Sequence, residues 1–164
     1  MRRLTHLAVI VLALAISLPV FAGSDIQSNK DAEKEVKQAV ALYYKALNAM
    51  FTGDLDPMKE IWSHADDVTY LGPSGGIEVG WAAVLADWQR QAAMKLGGKV
   101  DPVNLRITVG KDIAVANSYV KGQNKGAKGE IQEVLIRATS VFRKEDGRWK
   151  MIGLHVDLLP FLKK

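Results

Sequence analysis

Apolar residues in the first half of the chain recur at helical spacing in two stretches. A period of three and four residues places side chains on one face of an α-helix. The first stretch ends at Gly53 and has its apolar face at Val36, Val40, Tyr43, Leu47 and Met50. The second begins at Trp81, is closed by Gly97 and Gly98, and has its face at Val84, Leu85, Trp88, Ala92 and Leu96. Between them, Asp56 and Pro57 form an N-cap and first-turn pair and predict a short helix to about Trp62.

The second half of the chain alternates with period two, which is typical of strands. The pattern predicts four strands at roughly 103–109, 113–121, 130–143 and 148–158, after a brief strand in "DVTYLGP". Helices that precede a meander of strands indicate an α+β fold in which the helices cover one face of an antiparallel sheet.

The alternation also assigns side chains to the two faces of the sheet. In the last strand Ile152, Leu154, Val156 and Leu158 form an apolar row that we assign to the covered face. The opposite row holds Trp149, Met151 and His155. We therefore predict that these three residues form an outer homodimer contact, and catalysis by His155 is the alternative reading.

The N-terminus has the pattern of a secretory signal peptide. Arg2 and Arg3 precede an apolar run from Leu7 to Leu18 that is too short to span a bilayer, and Pro19 follows it. Val20 and Ala22 are the small residues that a signal peptidase reads. We predict cleavage after Ala22, a single domain over 23–164, and a periplasmic or secreted protein with no membrane contact after cleavage.

Composition excludes several classes of function. The chain has no cysteine, and so it has no disulfide, thiolate metal site or thiol nucleophile. Without Arg2 and Arg3, 20 of the 22 basic residues face 18 acidic ones, a net charge of +2. This is far from the basic excess that nucleic-acid binding needs. The lysines of "KGQNKGAKG" are expected to be a solvated hairpin tip.

Four segments carry a family resemblance: "YYKALNAMFTGDLDPMKEIW", "ADDVTYLGPSGG", "GWAAVLADW" and "EDGRWKMIGLHVD". Their order resembles the nuclear transport factor 2-like superfamily, in particular its SnoaL-like and kinase-association-domain branch. The resemblance implies a cone-shaped fold with about three N-terminal helices on a strongly curved antiparallel sheet. Because this scaffold hosts isomerases, dehydratases, binding modules and oligomeric parts, it does not imply one activity.

Two branches of the superfamily have functional residues that this chain lacks. Tyr43 matches the tyrosine of ketosteroid isomerases, but Gly72 stands where their aspartate base precedes a proline, and Ser140 or Thr139 stands at the other carboxyl position. Kinase-association domains share the Trp149 and His155 pattern, but they have an arginine where this chain has Val156. The sequence therefore argues against steroid isomerisation and against that carboxylate pocket.

The resemblance also implies a pocket lining. It is mainly apolar with a few hydroxyls and one amide, which suits a small hydrophobic or amphipathic molecule. The implied ligand-binding residues are Tyr43, Trp62, Tyr70, Trp88, Asn117, Tyr119, Ser140, Leu154 and Val156. Some of these aromatic residues are alternatively explained as ordinary core.

Few residues suggest catalysis or metal binding. "SHADD" brings His64 near Asp66 and Asp67, but no second histidine stands at helical spacing, and ordinary turn chemistry explains the segment equally. Asp87, beside Trp88, is a candidate acid or base. The sequence predicts neither a metal ion nor a cofactor. The preferred interpretation is an exported, non-catalytic small-molecule-binding domain. The alternatives are an isomerase- or dehydratase-type enzyme that uses Tyr43 with Asp87 or His64, and a dimeric interaction module.

Overall fold

The computed structural model describes residues 22–73, 75–126 and 129–158, with side chains described from residue 29 onward. The predicted signal peptide and its cleavage site lie outside the residues described in full. The helices are α1 (Ala22–Met50), α2 (Asp56–Ile61) and α3 (Trp81–Ala93). The strands are β1 (Thr69–Leu71), β2 (Glu78–Val79), β3 (Lys99–Val109), β4 (Ile113–Lys125), β5 (Ile131–Glu145) and β6 (Arg148–Leu158). In the described part of the chain, no helix is both long and apolar enough to cross a membrane.

The strands form one curved sheet in the order β2-β1-β6-β5-β4-β3. Strands β3 to β6 are an antiparallel meander, and β1 joins the edge of β6 in parallel. The α+β prediction is confirmed. The short β2 was not predicted, because two residues are too few to show alternation.

Helix α1 covers one face of the sheet, here called the inner face. Its buried side chains recur at helical spacing, and they are Val36, Ala39, Val40, Tyr43, Tyr44, Ala46, Leu47 and Met50. Two polar contacts fix the helix on the sheet. The Asn48 amide donates to the Val100 carbonyl at 2.9 Å and accepts from the Val100 N–H at 2.8 Å, and the hydroxyls of Tyr44 and Ser118 lie 3.1 Å apart.

Strand β6 does not keep one parity along its length. Leu154 and Val156 are buried on the inner face and His155 is exposed, as predicted. Trp149 and Met151 are also buried on the inner face, with Met151 opposite the fully buried Phe142. The pairing shifts between Val141 and Phe142, so that one extra residue of β6 lies between Met151 and Gly153.

A β-bulge of this kind exchanges the faces of all residues beyond it. The predicted outer contact of Trp149, Met151 and His155 is therefore wrong in two of its three members. Only His155 lies on the outer face. The Trp149 ring, which was predicted to contact a second chain, is buried in the core of its own chain.

Strand β4 corrects a second assignment. Ala114, Ala116 and Val120 are buried, whereas Asn117 and Tyr119 are exposed on the outer face. The small residues lie on the side of β4 that faces α1, where the Tyr44 hydroxyl contacts Ser118. Asn117 and Tyr119 therefore do not belong to an inner lining, although both were predicted there.

Candidate functional site

Four buried aromatic residues from different elements lie on the inner side of the sheet. Tyr43 comes from α1, Trp62 follows α2, Tyr70 is in β1 and Trp88 is in α3. All four side chains are buried, and Trp62 and Trp88 are each only 1% exposed. The Trp88 ring lies 4.4 Å from Tyr70 and 6.0 Å from Trp62, between ring centroids. We call these four residues the inner aromatic cluster.

Three further predicted lining residues lie on the same face of the sheet. Ser140, Leu154 and Val156 are buried, Leu154 is the β-sheet partner of Tyr70, and Ser140 is the partner of Leu154. Seven of the nine residues predicted to line the pocket are therefore buried on the inner side. Their burial places them in the core, and their role in binding a ligand stays a prediction.

The two tryptophans of the cluster carry an unusual polar feature. The indole N–H groups of Trp62 and Trp88 are buried, and neither has an acceptor among the described residues. By contrast, the indole of Trp149 is also buried but donates to the Glu35 carboxylate at 3.0 Å. A buried donor without a partner costs about 1–3 kcal/mol. The cluster therefore holds two N–H groups that an incoming acceptor would satisfy.

The two phenols of the cluster stay protonated. Burial raises the pKa of Tyr43 well above its ordinary value, and the neighbouring phenols of Tyr44 and Tyr70 add to the effect. Burial likewise raises the pKa of Tyr70 to about 12, although a hydrogen bond from Gln91 partly offsets it. At neutral pH both hydroxyls are therefore donors, with no tendency to form phenolate.

Gln91 was not identified from the sequence. Its amide nitrogen donates to the Tyr70 hydroxyl oxygen at 3.1 Å and to the Asp87 carboxylate at 2.6 Å. Because the Tyr70 oxygen accepts this bond, its own proton is left to donate elsewhere. The spacing of Asp87, Trp88 and Gln91 along one helix was the available signal, since residues three and four apart are neighbours.

The carboxylate of Asp87 is engaged by neighbouring side chains of its own helix. It is paired with the Arg90 guanidinium and also accepts from Gln91. The Gln91 amide connects Asp87 to Tyr70 by hydrogen bonds, and an amide cannot pass a proton as a carboxyl or an imidazole does.

Gly72 lies against the side chain of Tyr70. A β-carbon at Gly72 would lie 2.9 Å from the Tyr70 hydroxyl oxygen and about as close to its ring. The phenol of Tyr70 therefore occupies the space that a longer side chain at position 72 would need.

The residues of "SHADD" diverge in the structure. His64 is exposed, lies 2.9 Å from the Lys59 carbonyl through Nε2, and stacks on Trp81 with ring centroids 4.4 Å apart. The Asp67 carboxylate forms a two-pronged contact with Arg143, at 2.6 and 3.1 Å, which lowers the pKa of Asp67. Across the described ranges, no group of three or more histidine and carboxylate residues could hold a metal ion.

The sequence profile of the SnoaL-like domain matches residues 36–157. No curated protein shows significant sequence similarity to the chain. This profile extends from Val36 in α1 to Asp157, the last residue but one of β6, and therefore includes every member of the inner aromatic cluster.

Several solved structures have the same fold. A proposed dehydratase of the NTF2-like family from Streptomyces avermitilis is 20% identical, with 80% of this chain and 99% of that chain covered and a TM-score of 0.72. A proposed calcium/calmodulin-dependent protein kinase type II association domain from Thiobacillus denitrificans is 24% identical, with coverage of 75% and 94% and a TM-score of 0.64. An NTF2-like protein with a cystatin-like fold from Novosphingobium aromaticivorans is 18% identical, with coverage of 87% and 91% and a TM-score of 0.68. At these identities the likeness shows the fold alone, and the different descriptions of these proteins agree with a scaffold that serves several functions.

Proposed function

Because this chain belongs to the SnoaL-like domain family, we propose that its inner aromatic cluster binds a small, neutral, mainly apolar molecule that carries a hydrogen-bond acceptor. The observation that carries the proposal is the pair of buried indole N–H groups of Trp62 and Trp88 without acceptors. An acceptor oxygen on the ligand would satisfy them, and the surrounding rings would contact its apolar part.

The charge of the cluster favours a neutral ligand. Its polar groups are the two indoles and the protonated phenols of Tyr43 and Tyr70, all of which are donors. None of the four residues carries a charge at neutral pH. Burying an anion among neutral groups costs more than burying a carbonyl or ether oxygen, which needs only donors. A ketone, ester or amide is therefore the expected class.

The arrangement favours binding over catalysis. The candidate base Asp87 is held by Arg90 and Gln91, His64 lies on the surface against Trp81, and Gly72 has no side chain. Proton abstraction needs a base within hydrogen-bond reach of the substrate. The four donors of the cluster orient an acceptor but do not supply that base.

The N-terminal pattern of Arg2, Arg3 and the apolar run supports export of the domain as a second part of the proposal. N-terminal sequencing of the protein from the periplasmic fraction tests it. A mature chain that begins at or within a residue or two of Gly23 is expected. An intact Met1 on protein from the periplasmic fraction would contradict cleavage, and absence of the protein from that fraction would contradict export.

The binding proposal is tested with matched pairs of neutral compounds. Acetophenone and α-methylstyrene have the same shape, but a carbonyl oxygen in the first replaces a methylene group in the second. We expect calorimetry to give about tenfold or more tighter binding for the ketone, because only the ketone satisfies the buried N–H groups. Equal affinities would contradict the proposal.

A pair of variants locates the site. Trp88→Phe removes one indole N–H of the cluster and keeps an aromatic ring. Trp81→Phe is the matched control, because Trp81 is half-buried, stacks on the exposed His64 and is outside the cluster. We expect only Trp88→Phe to reduce the preference for the ketone, because Trp62 keeps the second indole N–H, while both variants still unfold cooperatively. A reduced preference in both variants, or in neither, would argue against the cluster as the site.

A further inference from the structure

The outer face of the sheet carries a polar groove of about 450 Å³. It lies across β3 to β6, on the opposite side of the sheet from α1. Its polar side chains include Arg106, Asn117, Arg137, Thr139, His155 and Asp157. We call this feature the outer groove. No residue of the inner aromatic cluster contributes to it.

The strand register explains why these residues meet. Arg106 is the sheet partner of Asn117, Asn117 of Thr139, and Thr139 of His155. One row of side chains therefore crosses four strands. Because adjacent strands are about 4.8 Å apart, the row is about 14 Å long.

A second row lies beside the first. Tyr119 is the partner of Arg137, and Arg137 is the partner of Asp157. At the end of this row β3 has a register shift between Val103 and Arg106, where Asn104 has a positive φ of 56° and lies at the edge of the groove. Bulges often re-aim side chains in this way next to binding sites.

Hydrogen bonds within the groove occupy the side-chain acceptors of Asn117 and Asp157. The Thr139 hydroxyl donates to the Asn117 side-chain oxygen at 2.8 Å, so that the Asn117 amide N–H₂ is left without an acceptor among the described residues. The Asp157 carboxylate lies 3.1 Å from His155 Nε2 and 3.4 Å from an Arg137 nitrogen. Both oxygens of the one carboxylate in the groove are thus engaged.

The charge of the groove is positive. Two guanidinium groups face one carboxylate, and the contact between Arg137 and Asp157 is long. Arg106 is exposed and makes no ion pair with any residue that the structure describes. Arg106 and the Asn117 amide, as direct cross-strand neighbours, offer several N–H donors on one side of the groove.

We propose that the outer groove binds a small molecule with an oxyanion group, a carboxylate or a phosphate, on an apolar body. Arg106 and Asn117 donate to the oxyanion, because a guanidinium fork and an adjacent amide match its oxygens. Arg137 adds positive charge from the next row, and the Tyr119 ring contacts the apolar part. This site is independent of the inner aromatic cluster, which takes a neutral ligand.

The test uses two anions and a neutral compound of similar shape: benzoate, phenyl phosphate and benzamide. ¹H–¹⁵N NMR titration of the purified protein follows the Asn117 side-chain amide and the Arg106 Nε–H signals. Both signals are expected to shift with benzoate or phenyl phosphate, and the stronger of the two identifies the oxyanion. Benzamide leaves them unchanged. Equal shifts with benzamide, or shifts that depend on protein concentration and on none of the three compounds, would overturn the proposal, and the second result would show that another copy of the chain covers the groove.

Three variants separate a built site from general attraction between charges. Arg106→Gln is expected to weaken anion binding by about tenfold or more, because it removes a charged donor. Arg148→Gln, at an exposed arginine outside the groove, leaves the affinity unchanged. Asp157→Asn strengthens binding several-fold, because it removes the competing carboxylate. Equal weakening by Arg106→Gln and Arg148→Gln, or weaker binding by Asp157→Asn, would contradict the proposal. Thermal unfolding of each variant confirms that its fold is intact.

Discussion

The inner and outer faces of the sheet are built from the same strands but differ in their polar groups. On the inner face, two indole N–H groups are buried without acceptors beside two protonated phenols. On the outer face, donors and acceptors pair with one another, and the groups left over include the exposed guanidinium of Arg106. The inner face therefore favours a neutral acceptor, and the outer face favours an anion.

Strand β6 contributes to both faces, and its bulge decides which residues go where. Before the bulge Trp149 and Met151 point inward, and after it His155 and Asp157 point outward. A single extra residue in β6 therefore places Trp149 and Met151 in the core, although strict alternation had predicted them on the outer face.

Trp149→Ala should give the largest effect among these tests. The side chain is buried and its indole donates to Glu35, so the free energy of unfolding is expected to fall by about 3–5 kcal/mol. His155→Ala, on the other side of the bulge, is expected to change it by less than about 0.5 kcal/mol. Urea unfolding measures both. A small effect of Trp149→Ala would contradict the burial of this side chain.

Asn48→Ala tests how the helix is held on the inner face. Asn48 makes two hydrogen bonds to the buried Val100 backbone, and alanine leaves both backbone groups unpaired. The expected loss is about 1–3 kcal/mol. Lys45→Ala, at an exposed position on the same helix, is the control and should be nearly neutral. Similar losses in the two variants would show that the contact with β3 does not determine the result, because alanine itself favours the helix.

Acid should weaken the contact that satisfies the Trp149 indole. Hydrogen bonds from Lys144 and then from Trp149 lower the pKa of Glu35. A carboxylate with a lowered pKa stabilises the fold above its unfolded pKa of about 4.3, and this contribution is lost as the pH falls through the folded value.

Because the pair of Glu35 and Lys144 is partly exposed, its contribution is about 0.2–1 kcal/mol. Glu35→Gln should therefore unfold more easily than the parent at neutral pH, and the difference should shrink below about pH 4. Denaturant unfolding across pH 3 to 7 checks this expectation. A difference that grows in acid would contradict the sign of the pKa change.

Asn117→Ala should have the smallest effect on stability. The residue is exposed on the outer face, so the free energy of unfolding should change by less than about 0.5 kcal/mol. Binding of acetophenone should also be unchanged, because Asn117 lies on the other side of the sheet from the cluster. Calorimetry and urea unfolding measure the two quantities. A loss of ketone affinity would show that Asn117 contacts the ligand and would contradict its assignment to the outer face.

The periodicity of the sequence predicted most of the fold. The helical spacing from Val36 to Met50 and the alternation in the last four strands were sufficient, because each reports burial on one face. Two features were out of reach. A bulge adds a single residue without a mark in the sequence. The inward direction of Ala114 and Ala116 in β4 depends on tertiary packing.

The candidate site was predictable only in part. The family resemblance implied that Tyr43, Trp62, Tyr70 and Trp88 line a pocket. Their side chains are buried, and their contact with a ligand stays a prediction. The role of Gln91, the missing acceptors of the two indoles and the meeting of Arg106 with Asn117 depend on side-chain geometry and on register. A single sequence contains none of these distances.

The indole region of a ¹H–¹⁵N NMR spectrum tests the central claim most directly. The chain has four tryptophans, and the indole of Trp149 already donates to Glu35. On titration with acetophenone, the indole signals of Trp62 and Trp88 are expected to move downfield as they gain an acceptor, while the Trp149 signal stays in place. If the Trp62 and Trp88 signals do not move at saturating ketone, or if only those of Trp81 and Trp149 move, the inner aromatic cluster is not the binding site.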